Sequence, residues 1–327
     1  MQPFEKKQFT KKIDGKETSL YTIKSEALTA TITNYGGIIV QLLFKGKDLI
    51  LGYDTIQKYI DSSEKYFGAI VGPVCNRICP AETKIDGKMV VFKKAEYLLH
   101  SDALLSTKVW DTKLVSEHKI ILTTSLNGEL GFPGNVKYTV TYSVKDGIFR
   151  TDITAFTDRK TILNCTSHPF FNFGTGQVLQ HQLKINAQQY LRVSENCVSV
   201  EPEDVKNTPF DFKKMKQIGQ NIHEENEQLK RGIGYDHCFV VTPDCEQAVL
   251  QFEDVKMIIK SNQKGMQLYS GNWLSGFKGK YGRAYDERTA VCLETQGWPN
   301  ACNEEKFPSI EVGAMQEYQN WTEYQFL

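Results

Sequence analysis

The sequence predicts an all-β fold, a large antiparallel β-sandwich with few short helices, and three observations lead to this prediction. Apolar and polar residues alternate over long stretches such as 136–144, which places the apolar side chains on one face of a strand. Strand-like runs are separated at short intervals by Asp-Gly or Asn-Gly pairs, which favour tight turns. Helical periodicity is scarce along the 327 residues. Many short strands with frequent turns are typical of sandwiches and barrels.

The clearest pair of strands lies near the middle of the chain. The alternating run at 136–144 is followed by Asp146-Gly147 and by a second strand-like run at 148–156, which predicts a β-hairpin. Similar turns are predicted at Asp14-Gly15, Asp86-Gly87 and Asn127-Gly128. Two further runs alternate in the same way, at 28–33 and 323–326. A helical pattern is present in two segments only, residues 55–61 and 213–230, and Gly219 weakens the second.

The charge balance excludes some classes of partner. The 39 Lys and Arg residues cancel the 39 Asp and Glu residues, so the formal net charge at pH 7 is zero. Nucleic acids and anionic membranes attract proteins with a basic excess or a basic patch, and no dense run of Lys and Arg supplies one. No stretch approaches the ~18 consecutive apolar residues that a membrane-spanning helix needs. We therefore expect neither a nucleic-acid partner nor a membrane partner.

Domain organisation and compartment follow from composition. No Gly-, Ser- or Pro-rich linker divides the chain, so residues 1–327 are predicted to form one domain that acts as a monomer or weak dimer. The first seven residues lack the apolar run of a signal peptide. The eight cysteines are too few for a disulfide scaffold and are expected to be reduced and mostly buried. These features favour a cytoplasmic location.

Several common catalytic motifs are absent from the sequence. There is no G-x-G-x-x-G, no phosphate-binding Walker loop, no H-E-x-x-H and no G-x-S-x-G. Dinucleotide binding, P-loop phosphate chemistry and hydrolysis by a nucleophile elbow therefore lose support. The only close cysteine pair, Cys75 and Cys79, has no second pair and is a poor zinc signal, so no metal site is expected.

Polar residues that can move protons cluster at predicted strand ends and turns. Glu294 follows the apolar run 291–293, where a carboxyl group is costly to bury unless it is paired, although an outward-facing glutamate fits equally well. His168 precedes Pro169 and is also compatible with a hydrogen-bonded structural histidine. The other clusters are Asn76-Arg77, Leu99-His100, residues 234–237 and residues 267–272.

An ordered series of motifs runs through nearly the whole chain. They are Thr33-Asn34-Tyr35-Gly36-Gly37, Leu49-Ile50-Leu51-Gly52-Tyr53-Asp54, Asn76-Arg77-Ile78 at the end of residues 67–78, Gly131-Phe132-Pro133-Gly134-Asn135, Asn207-Thr208-Pro209-Phe210-Asp211-Phe212 and Phe307-Pro308-Ser309. In kind and in order, this series resembles the aldose 1-epimerase (galactose mutarotase) family. The resemblance implies a large antiparallel β-sandwich, in agreement with the two-residue periodicity.

The resemblance also implies a catalytic pair and a set of sugar-binding residues. The proton-transferring pair would be Glu294, in Leu293-Glu294-Thr295-Gln296, and His168, in Ser167-His168-Pro169. The substrate-binding positions would be Asn76, Arg77, His100, Asp236 and Gln267. Ring opening of a sugar needs a base at the C1 hydroxyl and an acid at the ring oxygen. We expect a Glu294 carboxylate and a His168 imidazolium on opposite sides of the pyranose, with no metal and no organic cofactor.

The sequence departs from the family pattern beside several of these residues. The usual His-Gly-Gly is His100-Ser101-Asp102, the usual Gly-Arg is Gly72-Pro73, the usual Asn-His is Ser167-His168 and the usual Gln-His is Gln296-Gly297. The loss of two glycines after His100 predicts a different loop and a different wall of the pocket.

The leading hypothesis is a mutarotase that interconverts the α and β anomers of a free hexose such as glucose or galactose. One alternative is a phosphorylated or sulfonated hexose, for which Arg231 or Lys278 could supply a cation at the pocket edge. A second is a carbohydrate-binding protein without turnover. A third is a glycosidase that uses Glu294 and Asp236, which predicts a carboxylate separation of roughly 5–9.5 Å.

Overall fold

The computed structural model describes residues 4–327, which contain many short strands and two short α-helices. In chain order, the first strands are β1 (Lys12–Ile13), β2 (Lys16–Glu17), β3 (Leu20–Lys24), β4 (Leu28–Thr33), β5 (Ile39–Phe44), β6 (Lys47–Asp48), β7 (Ile70–Val71), β8 (Arg77–Ile78), β9 (Glu82–Ile85), β10 (Lys88–Val91), β11 (Leu98–Leu99), β12 (Asp111–Ser116), β13 (Lys119–Asn127), β14 (Asn135–Lys145) and β15 (Ile148–Thr157). The remaining strands are β16 (Thr161–Ile162), β17 (Thr166–Ser167), β18 (Gln182–Ile185), β19 (Ala187–Val193), β20 (Ser199–Asp204), β21 (Lys216–Gln217), β22 (Asp236–Val241), β23 (Cys245–Phe252), β24 (Val255–Ser261), β25 (Gly265–Tyr269), β26 (Phe277–Lys278), β27 (Ala284–Tyr285), β28 (Cys292–Gln296), β29 (Glu311–Val312) and β30 (Glu317–Phe326). The helices are α1 (Ile56–Asp61) and α2 (Glu227–Gly232).

Three sheets make up most of the architecture. The largest has nine strands in the order β12-β13-β14-β15-β30-β24-β23-β18-β21. A five-stranded sheet has the order β20-β19-β22-β25-β28, and a four-stranded sheet has the order β3-β4-β5-β6. Within these sheets every strand pairing is antiparallel. The predicted antiparallel β-sandwich with few helices is confirmed.

The main hydrophobic core lies between the sheets. Residues of all three sheets meet in it, for example Leu42 from β5, Tyr138 from β14 and Leu268 from β25. The alternation that predicted β14 holds, because its apolar residues from Val136 to Val144 are buried and the residues between them are more exposed. The Tyr142 hydroxyl donates to the carbonyl of Gly37 at 2.6 Å, so this aromatic side chain is satisfied inside the core.

The predicted Asp-Gly turns are present as tight hairpin turns. Asp14-Gly15, Asp86-Gly87 and Asp146-Gly147 join β1 to β2, β9 to β10 and β14 to β15. Both residues of each pair have positive φ, for example +45° at Asp146 and +79° at Gly147, which is the geometry that matches the twist of paired strands. Asn127-Gly128 instead leads into a 3₁₀ turn at Glu129–Gly131 before β14 begins.

The two predicted helices had different outcomes. The segment 55–61 is confirmed as α1, which begins after Thr55, and the Thr55 hydroxyl accepts a hydrogen bond from the Lys58 amide. The segment 213–230 is wrong as one helix, because it contains the edge strand β21 and a 3₁₀ turn before α2 begins. Gly219 explains the break, since its amide donates to the Leu179 carbonyl at 2.8 Å and a Cβ there would approach that oxygen to 3.0 Å.

Two further properties bear on the predictions. Each of the eight cysteines is free, and five of them are buried. Neither of the helices described in residues 4–327 has the length and apolar character needed to cross a membrane.

A backbone bridge fixes the relation between two segments that are far apart in the chain. Phe171 and Val291 exchange both of their backbone hydrogen bonds, each at 2.9 Å, in antiparallel orientation. The same antiparallel register, counted three residues back from Phe171 and three residues forward from Val291, places His168 opposite Glu294. The two segments are otherwise paired elsewhere, β17 with β7 and β28 with β25.

Buried side chains complete the connection between these segments and β30. The Asn320 side-chain amide donates to the carbonyls of Cys165 at 2.7 Å and Thr295 at 3.0 Å. The Thr166 hydroxyl also donates to the Thr295 carbonyl, at 2.9 Å. Asn320 therefore gives a buried carbonyl on each segment a second donor, beside the Thr166 hydroxyl at Thr295 and the Tyr318 hydroxyl at Cys165.

Replacing Asn320 by Ala should lower the free energy of unfolding by about 1–3 kcal/mol, because two buried carbonyls each lose one of their two donors. It should also lower the activity proposed below, because the segments that carry His168 and Glu294 lose a shared support. Urea unfolding at constant m-value measures the first effect. Gln319→Ala is the matched control, since Gln319 is the exposed neighbour on the same strand. Equal stability of the two variants would contradict the prediction.

Candidate active site

A cavity of about 200 Å³ brings most of the sequence-predicted site residues together. Its walls come from several distant segments and contain Glu64, Tyr66, Asn76, Arg77, Leu99, His100, His168, Phe170, Asp236, Tyr269, Trp273 and Glu294. Six of the seven predicted residues are among them. The seventh, Gln267, lies beside the cavity and donates a hydrogen bond to Asp236 at 2.7 Å. A larger cleft around Asp48 and Lys280 contains a buried ion pair at 2.6 Å.

One face of the five-stranded sheet supplies three of these side chains. Gln267 on β25 is directly opposite Glu294 on β28 and also opposite Cys238 on β22. Asp236 is two residues from Cys238 and therefore shares its face of the sheet. The two-residue period of three neighbouring strands thus collects Asp236, Gln267 and Glu294 on one side.

The candidate acid and base are in direct contact. His168 Nε2 lies 3.3 Å from Glu294 Oε1, and both side chains are at least 95 % buried. This differs from the sequence-based expectation that the two groups lie on opposite sides of a pyranose, because no ring fits between atoms this close. The two groups stand side by side instead. The C1 hydroxyl oxygen and the ring oxygen of a hexose share one carbon, so adjacent groups can reach both.

Burial also changes the protonation of this pair. Desolvation raises the pKa of Glu294 well above its usual range, and the charges of Asp236 and Glu64 raise it further, while Arg77 lowers it. Desolvation lowers the pKa of His168 to about 4. The expected carboxylate and imidazolium are therefore disfavoured in the empty cavity. The uncharged pair is a carboxylic acid beside an imidazole, and the charged pair is a carboxylate beside an imidazolium. The two pairs contain the same number of protons and differ only in which group carries the shared one.

His100 is held by the loop that contains Asn76. The Asn76 amide donates to His100 Nδ1 at 3.1 Å, and the His100 amide donates to the Asn76 carbonyl at 2.9 Å. Since Nδ1 accepts a hydrogen bond from the Asn76 amide, the ring hydrogen is assigned to Nε2, which leaves a donor for a ligand. Burial lowers the pKa of His100 well below its usual value, and the neighbouring His168 and Arg77 add to this shift.

The departures after His100 have not produced the expected new pocket wall. Ser101 and Asp102 have φ values of +50° and +53°, the left-handed region that glycine adopts most easily. Neither residue lines the cavity. The Ser101 hydroxyl exchanges hydrogen bonds with the backbone of Val74, and Asp102 forms an exposed ion pair with Lys93 at 2.9 Å. The loop therefore keeps a glycine-like backbone without glycine.

Arg77 and Asp236 form the polar end of the cavity. An Arg77 Nη1 atom lies 3.7 Å from Asp236 Oδ2, and Gln267 holds the other carboxylate oxygen. Burial raises the pKa of Asp236, while Arg77 and Gln267 oppose the shift by stabilising its charge. At 3.7 Å the contact of Arg77 with Asp236 is longer than a hydrogen bond, so N–H groups of the Arg77 guanidinium remain available to a ligand.

Sequence reasoning assigned no site role to six residues of the cavity wall, although two of them, Leu99 and Tyr269, lie in polar clusters that it named. The six are Glu64, Tyr66, Leu99, Phe170, Tyr269 and Trp273. The Tyr66 ring packs 4.6 Å from the His100 ring and 6.0 Å from the His168 ring, between centroids. Trp273 is 56 % exposed, and an exposed aromatic beside a polar cluster is a signal that could have identified it. Glu64 lies in the polar run Asp61-Ser62-Ser63-Glu64, which resembles any solvated loop.

Two positions proposed for an anionic substrate lie elsewhere. Arg231 donates to the Val193 carbonyl and to Glu227, both at 2.6 Å or less, and it does not line the cavity. Lys278 is an exposed residue of β26 and does not line it either.

One set of side chains could hold a metal ion. Donor atoms of His168, Cys292 and Glu294 lie within 4.8 Å of one another, and nitrogen, sulfur and oxygen donors of this kind suit Zn²⁺. Two of the three residues are the candidate acid and base, so an ion bound there would occupy the groups needed for proton transfer. The sequence-based expectation that no metal is needed stays a prediction.

Comparisons with known proteins identify relatives over nearly the whole chain. The aldose 1-epimerase family model matches residues 19–325. A galactose mutarotase of Sus scrofa is 31 % identical over 326 residues, covering 94 % of this chain and 93 % of the relative. An aldose 1-epimerase of Haemophilus influenzae is 30 % identical over 280 residues, covering 80 % of this chain and 81 % of the relative.

Solved structures agree with this assignment. An aldose epimerase homologue from C. elegans superposes with a TM-score of 0.87 at 25 % sequence identity, over 95 % of this chain and 99 % of that one. A galactose 1-epimerase from Lactobacillus acidophilus has the same fold, with a TM-score of 0.88 at 23 % identity, over 97 % of this chain and 96 % of that one. Because the family model and the relatives both span most of its length, this chain belongs to the aldose 1-epimerase family.

Proposed function

We propose that the protein is an aldose 1-epimerase that interconverts the α and β anomers of a free hexose such as glucose or galactose. The observation that carries the proposal is the buried contact of 3.3 Å between His168 and Glu294 in a cavity lined with hydrogen-bonding and aromatic side chains. A protein that only binds sugar does not need an acid and a base in contact. Relatives named galactose mutarotase and aldose 1-epimerase support the same activity.

The proposed reaction is a pair of coupled proton transfers. Glu294 removes the proton of the C1 hydroxyl while His168 delivers a proton to the ring oxygen, and the bond between C1 and the ring oxygen breaks. The open-chain aldehyde rotates about its C1–C2 bond. The ring oxygen then attacks C1 from the other face, and the two residues reverse their roles. Protons and electrons balance without a cofactor, because the product is the other anomer of the same sugar.

The single proton of the pair decides which group acts as the base. In the empty cavity burial favours the uncharged pair, with the proton on Glu294. Transfer of that proton to His168 Nε2 across the 3.3 Å contact creates the carboxylate base and the imidazolium acid together. No exchange with solvent is needed. Arg77 favours the carboxylate form of Glu294.

The remaining polar residues are proposed to bind and orient the sugar. Arg77 and His100 Nε2 donate to sugar oxygens, and Asp236, held by Gln267, accepts from hydroxyl groups. Asn76 lines the same cavity and fixes His100 through its backbone. The Trp273 ring, more than half exposed at the cavity, offers an apolar face to the C–H groups of a pyranose.

Specific observations weigh against the alternatives. A phosphorylated or sulfonated hexose is disfavoured because three carboxyl groups and one guanidinium line the cavity, and neither Arg231 nor Lys278 does. A two-carboxylate glycosidase is disfavoured because Glu294 contacts an imidazole, while Asp236 is engaged by Arg77 and Gln267.

Eight unpaired cysteines support a reducing compartment, and we propose the cytoplasm as the site of action. We also propose that the protein works as a monomer or weak dimer without a nucleic-acid or membrane partner.

Glu294→Gln should lower kcat for mutarotation by about 10² to 10⁴-fold, the usual contribution of a general acid–base group, with little change in sugar affinity. Polarimetry of freshly dissolved α-D-glucose and α-D-galactose, corrected for the uncatalysed rate, measures the effect. Glu305→Gln is the control, because it makes the same change at an exposed site. Near-wild-type rates for Glu294→Gln would show that the base is another residue.

Activity should stay nearly constant as the pH falls through 6.5 and should decline only near pH 4. The reason is that His168, whose pKa is lowered to about 4, takes up a second proton for the pair only in that range. The pH dependence of kcat/KM tests this. Glu64, whose pKa is about 7, also titrates within the pH range of this profile. The pH profile of Glu64→Gln lacks this titration and therefore reports the titration of His168 without it. An acid limb that stays near 6.5 in both proteins would contradict the assignment of His168.

Arg77→Ala and Asp236→Ala should each raise the KM for hexose by about 10 to 100-fold, because each removes charge-assisted hydrogen bonds to the sugar. Steady-state polarimetry and calorimetric binding measure the loss. Lys93→Ala is the control, since Lys93 carries an ion pair on the neighbouring exposed surface. If neither variant changed the affinity for sugar, the binding site would have to lie elsewhere.

A further inference from the structure

The cavity has more negative groups than the proposed reaction uses. Three carboxyl groups line it, those of Glu64, Asp236 and Glu294, but Arg77 is the only arginine or lysine among the lining residues. The two histidines there are kept uncharged by burial. Glu294 has an acid–base role and Asp236 a binding role, whereas Glu64 has no role so far.

The loop after α1 fixes Glu64 firmly at the cavity. The Ser62 hydroxyl accepts from the Glu64 amide at 3.0 Å and is itself in hydrogen-bond contact with the Tyr53 hydroxyl at 2.7 Å. One carboxylate oxygen of Glu64 accepts from the Tyr66 amide at 2.8 Å. The carboxyl group is therefore held by its own backbone, and its other oxygen is left for a ligand.

Glu64 differs from the other two carboxyl groups in its partners. Asp236 is paired with Arg77 and Gln267, and Glu294 contacts His168. Within residues 4–327, no Lys, Arg or His nitrogen lies within ion-pair distance of Glu64. Glu64 is partly buried, and desolvation without a neighbouring cation raises its pKa to about 7. A ligand that supplied a positive charge would remove this cost.

Glu64 lines the same cavity of about 200 Å³ as Glu294. The amide of Tyr66 holds the Glu64 carboxylate, and the ring of Tyr66 packs 6.0 Å from the ring of His168, the partner of Glu294. Glu294 is the proposed base for the C1 hydroxyl, so C1 must lie beside it. The substituent nearest to C1 on a hexose ring is the one on C2.

We infer that Glu64 is a specificity-determining residue that binds a protonated amino group on C2, so that the cavity accepts 2-amino-2-deoxyhexoses in preference to neutral hexoses. This inference rests on the proposed mutarotase function and names its substrate class. The ammonium donates to the free oxygen of Glu64 and neutralises the Glu64 carboxylate. Sugars that carry phosphate, sulfate or carboxylate groups bring the opposite charge and are repelled.

The test compares D-glucosamine with D-glucose at pH 7, where the amine of glucosamine is mainly protonated. Polarimetry gives kcat/KM for each sugar with the wild type and with Glu64→Gln, which keeps the shape of the side chain and removes its charge. We expect the ratio of glucosamine to glucose to fall about tenfold or more in the variant, the effect of one charge-assisted hydrogen bond. Dissociation constants from calorimetry on the same proteins repeat the comparison without turnover.

Asp61→Asn is the matched control. Asp61 ends α1 three residues before Glu64, is exposed and lies outside the cavity, so its variant should keep the wild-type ratio. A ratio that is the same in Glu64→Gln and wild type would overturn the inference, even if glucose mutarotation were normal. A failure of the proposed function is distinguishable, because the wild type would then accelerate neither sugar. In that case calorimetry still tests the role of Glu64. Tighter binding of glucosamine than of glucose by the wild type, with no such difference in Glu64→Gln, would support it.

Discussion

The short antiparallel bridge between Phe171 and Val291 is the constraint on which the site depends. It sets the register of two segments that belong to different sheets, and this register brings His168 to Glu294. A slip of one residue would turn one of the two side chains to the opposite face. Asn320 and Thr166 reinforce the same junction by hydrogen bonds to buried carbonyls. The precision of the proton-transferring pair is therefore a property of the backbone as much as of the two side chains.

Exclusion of water gives the site its chemical character. Desolvation is the largest cause of the pKa shifts of Glu294, His168, His100 and Asp236. The same burial that makes charges costly also keeps the shared proton within the pair. In the proposed complex, hydrogen bonds of Arg77, His100 and Asp236 replace the hydration of the sugar. The cavity is thus arranged to stabilise charge only when a ligand is present.

The sequence predicted much of the architecture and six of the residues that line the candidate cavity, for identifiable reasons. Alternation in β14 and the Asp-Gly turns are local signals, and both depend on backbone preferences within a few residues. The segment 213–230 was predicted wrongly because pairing of β21 with β18 overrides its local pattern. The side-by-side position of His168 and Glu294 arises from a bridge between residues 120 positions apart. Glu64 carries no local signal at all, since only the fold brings its loop to the cavity.

The position of β30 in the nine-stranded sheet has a consequence for how the molecule is assembled. This strand pairs with β15 on one side and β24 on the other, so the sheet remains in two separate parts until it joins. It also carries Asn320. During translation, β30 leaves the ribosome after every other strand described here, and each half of the sheet must wait with an open edge. Such long-range closure is slow and exposes aggregation-prone edges. The junction that supports His168 and Glu294 is thus completed only after β30 has been synthesised, so under the proposed mechanism a nascent chain should be catalytically silent.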